Sequence, residues 1–208
     1  MKIFIGGLLL IASSNPAVAN GSGDPAAGKS MTILCIGCHG ADGNNSNPVY
    51  PKLAGQGSAY LAKQLADFKT GARKEEHMTS MVEAIGLADI PNIAAWFASQ
   101  KRLWDVADKA KTDAGRQIYQ NGIEAKNISA CAGCHGPKGM GTPAAKFPAL
   151  AGQHVEYISK ALRDFRSGMR TNDPQKMMRD IAGGLSDEEI ASVSTYIGGM
   201  GNQVGLGH

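Results

Sequence analysis

The sequence predicts an all-α protein made of two tandem copies of one small domain. Three observations carry that reading. The periodic apolar segments repeat at helical spacing, with no alternating strand pattern beside them. The second half of the chain repeats the first. A Cys-x-x-Cys-His pentapeptide stands at the same place in each copy.

Composition narrows the class. With 208 residues, 43% apolar, 19% charged and a formal charge of +3, the chain is too apolar to be disordered and too weakly basic to be a nucleic-acid binder. Aromatic residues are only 6%. Two small domains with so few large side chains have thin cores, which suggests that a bound group completes them.

At the N-terminus, Lys2 is followed by an apolar run from Ile3 to Ala12 and then by Ala17-Val18-Ala19. A positive start, a short apolar stretch and a small-residue end form the pattern of a secretory signal peptide, and the run is too short to span a bilayer. Residues 1–19 are therefore expected to be removed on export. The mature chain then divides into a first domain at 20–101, a linker at 102–112 and a second domain at 113–208.

The repeat fixes the correspondence between the copies. A shift of 96 lays Cys35, Cys38 and His39 on Cys131, Cys134 and His135. A shift of 97 lays Pro51-Lys52-Leu53-Ala54-Gly55-Gln56 on Pro148-Ala149-Leu150-Ala151-Gly152-Gln153, Asp67-Phe68 on Asp164-Phe165, and Arg73 on Arg170. In order along the chain, Asp24-Pro25 reads as a cap with proline in the first turn of a helix running into Cys35. The next helix opens at Ser58, buries Leu61, Leu65 and Phe68, and stops at Gly71. The last helix of the first copy starts near Asp89, delayed by Gly86 and Pro91, and runs to Ser99. The polar linker carries Leu103, Trp104 and Val106, which can pack between the domains. In the second copy, Asp113 opens a helix over Ala114 to Gln120, and Ile158, Leu162 and Phe165 mark the next helix before Gly168. Ser186 and Glu189 form a capping box for a final helix burying Ile190, Val193 and Ile197.

All four cysteines lie in the two motifs, Cys35-Ile36-Gly37-Cys38-His39 and Cys131-Ala132-Gly133-Cys134-His135. This is the c-type haem attachment pattern. Two thiols on one helical turn can add to the two vinyl groups of one haem, and the adjacent imidazole is then carried under the iron. The competing readings are weaker. Paired Cys-x-x-Cys zinc sites sit within roughly 15–20 residues of each other, far less than the span from Cys38 to Cys131. A thioredoxin-like pair needs a strand–helix–strand setting, and disulfides leave the histidines unexplained. Two covalently attached haem c groups are expected.

His39 and His135 leave the far side of each iron open. Of the nine methionines, Met78 and Met178 lie seven residues before Ile85 and Leu185, at the same edge of the last helix in each copy. They are the candidate sixth ligands, and His77, beside Met78, is the rival for the first haem. A ligating imidazole needs a fixed acceptor for its other N–H. The carbonyls of Pro51 and Pro148 suit that role, and Leu53 and Leu150 suit packing on the porphyrin. Gln56, Gln153, Arg73 and Arg170 are candidates either for the propionates or for a solvated surface; His154 and His208 read as surface histidines.

These residues resemble class I cytochrome c domains, and the tandem arrangement resembles that of the cytochrome c4 family. The resemblance spans the mature chain. It rests on both Cys-x-x-Cys-His motifs, both Pro-x-Leu-Ala-Gly-Gln segments, the stretches Asp67 to Arg73 and Asp164 to Arg170, and Thr171-Asn172-Asp173. It implies His/Met ligation of both haems, a pseudo-two-fold relation between the domains, and a periplasmic electron carrier delivering electrons to a terminal cytochrome oxidase from an upstream donor. It leaves peripheral membrane association open and calls for no nucleic acid, no small-molecule substrate and no enzymatic turnover of the chain's own. The alternative is a dihaem cytochrome subunit of an oxidoreductase complex such as a flavocytochrome c sulfide dehydrogenase. Mass spectrometry of the exported protein is expected to find a chain starting near Asn20 with two added tetrapyrrole masses; bare thiols or cystines would contradict the reading.

Overall fold

Each half of the chain is a set of helices that pack on one side of a shared apolar space. The structure, a computed structural model, describes residues 23–104 and 113–203. The expected signal peptide at 1–19, residues 105–112 of the linker (with Val106) and His208 lie outside the described residues. The first half contains α1 (Pro25–Met31), α2 (Ile36–His39), α3 (Ser58–Thr70), α4 (Glu76–Met81) and α5 (Ile90–Ser99). The second contains α6 (Asp113–Asn121), α7 (Cys131–His135), α8 (Val155–Ser167), α9 (Met177–Gly183) and α10 (Asp187–Gly199). Among the described residues there are no strands, only isolated bridges between Ile123 and Ile128 and between Thr142 and Phe147. No described helix is long and apolar enough to cross a membrane.

Local chemistry sets most helix ends. The Asp24 carboxylate accepts from the Ala26 N–H at 2.8 Å and caps α1. Gly71 and Gly168 end α3 and α8 in the left-handed conformation, each returning its N–H to the phenylalanine three residues back. Ser186 and Glu189 form the reciprocal capping box of α10, with Glu189 Oε2 accepting from Ser186 N–H at 2.7 Å. α5 begins after Asp89 with Pro91 in its first turn, as the late-start reading requires.

Two features differ from the sequence reading. α1 does not run into Cys35. It ends at Met31, where buried Thr32 turns its hydroxyl back onto the Lys29 carbonyl at 2.8 Å. The first helix of the second copy lies where the sequence places it, opening at Asp113, and stands further from its haem motif than α1 does. Gly28 and Gly115 take the same role at different distances from their cysteines, and the extra residues form a 3-10 turn at Glu124–Lys126. α4 and α9 are additional short helices that carry Met78 and Met178, so neither methionine lies at the edge of the last helix.

In each half the first helix crosses the last. The crossing is close because it is made on glycine. A Cβ at Gly28 would lie 2.0 Å from the Asn92 carbonyl oxygen, and one at Gly115 would lie 2.1 Å from that of Ser192. Two separate cores result. Leu61, Phe68, Val82, Ile85, Ile90, Ile93 and Phe97 form the first. Tyr119, Ile158, Leu162, Phe165, Ile190, Val193 and Ile197 belong to the second. Trp104 packs on the second core, where a Cβ at Gly152 or Gly201 would strike its ring; Leu103 is exposed. The Gly115→Ala variant is expected to lose about 1–3 kcal/mol or more of stability, because backbone must move to admit the methyl group. Thermal unfolding of the haem-loaded protein reads this, with Gly183→Ala, which meets nothing within 4 Å, as the unchanged control.

Candidate functional site

The two motif histidines are buried and positioned by a matching device. His39 ends α2 and His135 ends α7. Each ring Nδ1–H donates to a proline carbonyl at 2.9 Å, His39 to Pro51 and His135 to Pro148. The acceptor is a carbonyl, so Nδ1 carries the proton and Nε2 is the nitrogen left for a ligand. The proline segments are pinned by Gly43 and Gly139. Gly43 C=O accepts from Leu53 N–H at 2.8 Å and Ala54 N–H at 3.2 Å, and Gly139 C=O accepts from Leu150 at 2.7 Å and Ala151 at 3.0 Å. Gly43 has a φ of 81° and a Cβ there would lie 2.7 Å from Ala54 N, so glycine is required. Tyr50 and Phe147 each set a ring beside their histidine, with centroids 6.2 Å apart in both cases.

Burial lowers both imidazoles below their usual pKa, opposed by the proline carbonyls. It pushes the Cys35 and Cys131 thiols up to about 11. Neutral imidazole is the ligating form. Among the described residues no group of three or more His, Cys, Asp or Glu side chains is arranged to hold a metal ion directly.

One cavity of about 850 Å³ takes in both sites. Its lining includes all four cysteines, both motif histidines, Leu53, Leu150, Met78 and Met178. Met78 and Met178 are partly buried against the first and second cores. Glu75 caps α4 by accepting from Met78 N–H at 3.0 Å. His77 is different. Its side chain is 67% exposed, its Nδ1 lies 3.6 Å from Glu75, and its ring faces Tyr50. Paired thiols, a fixed imidazole, an apolar enclosure and a thioether in each half fit the donor set and shape that a covalently held haem requires.

The structure reassigns several residues between the two sites. Gln56 and Gln153 do not stand as free propionate partners; they clamp the domains together. Gln56 Nε2 donates to the Ala149 carbonyl, and Gln56 Oε1 accepts from the Ala149 N–H, both at 2.8 Å. Gln153 does the same to Lys52, donating to its carbonyl at 2.9 Å and accepting from its N–H at 2.8 Å. Lys52 and Ala149 are equivalent in the repeat, so the clamp is reciprocal. Arg73 and Arg170 also cross. Arg73 donates to Tyr157 and Arg170 to Tyr60, each at 3.2 Å, while each guanidinium stacks 4.5 Å from the ring of Phe68 or Phe165. Arg102 donates to the equivalent carbonyls Ala54 and Ala151, both at 2.9 Å, and burial brings its pKa down to about 10. His154 is not a surface histidine. It is buried, and its Nε2 donates across the interface to Asn45. These roles depend on pairing between halves, which neither copy's sequence reveals alone.

The cytochrome c family profile matches residues 25–101 and 112–201. Cytochrome c4 of Pseudomonas aeruginosa is 45% identical over 193 residues, covering 92% of this chain and 96% of that protein. The chain belongs to the cytochrome c4 family. The crystal structure of reduced recombinant cytochrome c4 from Pseudomonas stutzeri matches with a TM-score of 0.83 at 43% identity, covering 85% of this chain and 98% of that one. A protein of Stutzerimonas stutzeri described as a thiosulfate dehydrogenase electron acceptor is 35% identical, covering 88% of this chain and 84% of its own length. The two domains thus each hold one covalently bound haem c, and the protein transfers electrons.

Removing one clamp takes a side-chain hydrogen-bond partner from a buried N–H and C=O in the other domain. Gln56→Ala and Gln153→Ala are each expected to cost about 1–3 kcal/mol. Urea denaturation of the haem-loaded protein checks this, and the double variant is expected to split one transition into two.

Proposed function

We propose that the protein is a periplasmic carrier taking electrons from the respiratory chain towards a terminal oxidase, with both haems His/Met ligated. His39 and Met78 serve the first iron, His135 and Met178 the second. Cys35, Cys38, Cys131 and Cys134 carry the thioethers. The supporting observation is that each half presents the same pair to one cavity: an imidazole with Nδ1 engaged and a half-buried thioether at the matching repeat position. His77, exposed and beside Glu75, fits the sixth position less well than Met78.

The bound iron supplies a one-electron ferrous–ferric couple. The chain's residues do the rest. Met78 and Met178 fill the position where a small molecule would otherwise bind. Pro51 and Pro148 hold each imidazole in one tautomer and orientation. Leu53 and Leu150 exclude water from the cofactor face. The interdomain clamps keep the two sites in register for transfer within one molecule. The division proposed is a signal peptide at 1–19, domains at 20–101 and 113–208, and a linker at 102–112, with removal of the signal placing the protein in the periplasm.

A second reading, an electron-accepting subunit beside a sulfur-compound oxidoreductase, is favoured by the relative described as a thiosulfate dehydrogenase electron acceptor. Co-purification as a stable heterodimer would select it. For the leading reading, the oxidised protein is expected to show the weak far-red absorption of methionine bound to ferric haem. Met78→Ala and Met178→Ala should each remove about half of it, one site of two. A full-strength band in either variant would refute that ligand. Reduced protein is further expected to be reoxidised by oxidase-containing membranes, and cyanide is expected to stop the reaction.

A further inference from the structure

The two proximal carbonyls are not alike. Among the described residues, Pro148 C=O accepts only from His135 Nδ1–H. Pro51 C=O accepts from His39 Nδ1–H at 2.9 Å and also from Asn45 Nδ2 at 3.1 Å. Asn45 Nδ2 lies 3.2 Å from the Tyr50 carbonyl as well. At the shift that aligns the haem motifs, the place of Asn45 is taken in the second copy by Gly141, which has no side chain to offer.

Asn45 is itself held from the other domain. His154 Nε2 lies 3.1 Å from the Asn45 carbonyl and 3.3 Å from Asn45 Oδ1. His154 is 6% exposed, and its counterpart in the first copy is Gly57. Neither member of the pair is repeated. A hydrogen-bonded chain therefore runs from the second domain through His154, Asn45 and Pro51 to His39, and among the described residues the second haem site has no counterpart to it.

We propose that Asn45 and His154 are positioning residues that raise the reduction potential of the first haem from across the domain interface. This rests on His39 being the proximal ligand of that haem. A strongly held Nδ1–H makes the imidazole more electron-donating, which favours ferric iron and lowers the potential. A carbonyl shared between two donors gives less to each. Asn45 thus weakens the hold of Pro51 on His39, and the imidazole donates less to the iron. His154 keeps the Asn45 amide turned towards Pro51 by occupying its oxygen. The arrangement ties the potential of one haem to the docking of the other domain.

The test compares the haem-loaded parent with Asn45→Ala and His154→Ala. Spectroelectrochemical titration, with the two haems resolved by their shifted methyl resonances in NMR, reads each potential. Both variants are expected to lower the potential of the first haem and leave the second unchanged, which makes the second haem the internal control for folding. In the reduced protein, the Nδ1 proton of His39 is expected to move downfield in Asn45→Ala while that of His135 stays in place. A first haem whose potential is unmoved or raised, or two haems that move together, would overturn the proposal. A His39 ring without the ring-current shifts of an iron-bound imidazole would overturn the ligand assignment and this inference with it.

Discussion

Each domain is arranged around a space that its own side chains do not fill. The apolar residues of α3, α5, α8 and α10 face it, and the cavity of about 850 Å³ between the halves is the result. In domains this small, a core built from Leu, Ile, Val and a few Phe leaves little margin over the entropy of ordering the chain. A covalently held haem supplies the missing apolar contact and cannot dissociate. The remaining architecture serves that placement. α2 and α7 present the cysteines and histidine on one short turn. Gly43 and Gly139 bring a proline carbonyl to each imidazole. α4 and α9 bring a thioether to the cavity.

Where local chemistry decides, the structure was legible in the residues alone. The capping box at Ser186 and Glu189, the left-handed stops at Gly71 and Gly168, and the late start of α5 at Ile90 are each set within a few residues. The repeat added the correspondence between copies, and with it the proline and methionine candidates that line the cavity. Tertiary effects were not legible. α4 spans only Glu76–Met81 and is capped by glutamate, a residue that carries little capping signal. The early stop of α1 depends on Thr32 folding back on Lys29. Gln56, Gln153 and His154 look like solvent-facing polar residues until the partner domain is in place, because their acceptors lie about half the chain away in sequence.

The two halves share a frame and differ in detail at their sites. The second copy has three more residues between its arginine and its methionine. There Gln175 and Lys176 adopt left-handed φ values of 53° and 61°, an uncommon conformation for residues with a side chain. Just before them, Asn172 bonds Gln64 at 2.9 Å and Asp67 at 2.6 Å in the first domain. Lys63, which also pairs with Asp67, donates to the Asn172 carbonyl at 2.9 Å. Among the described residues, no hydrogen bond joins the loop after Arg73 to Lys160 or Asp164, the counterparts of Lys63 and Asp67. Near-equivalent pockets therefore sit in different surroundings, which lets one chain offer two electron sites of unequal character.

The reciprocal glutamine clamp has a consequence for ancestry. A contact in which residue i of one half grips residue j of the other, and the second half returns the same grip, is the mark of a self-complementary, two-fold interface. Because Gln56 and Gln153 engage backbone and not side chains, the gripped position was free to become lysine in one copy and alanine in the other. A homodimer of single-haem units, later joined into one polypeptide, would leave this pattern behind, with the seam preserved while the sequences on either side drifted apart.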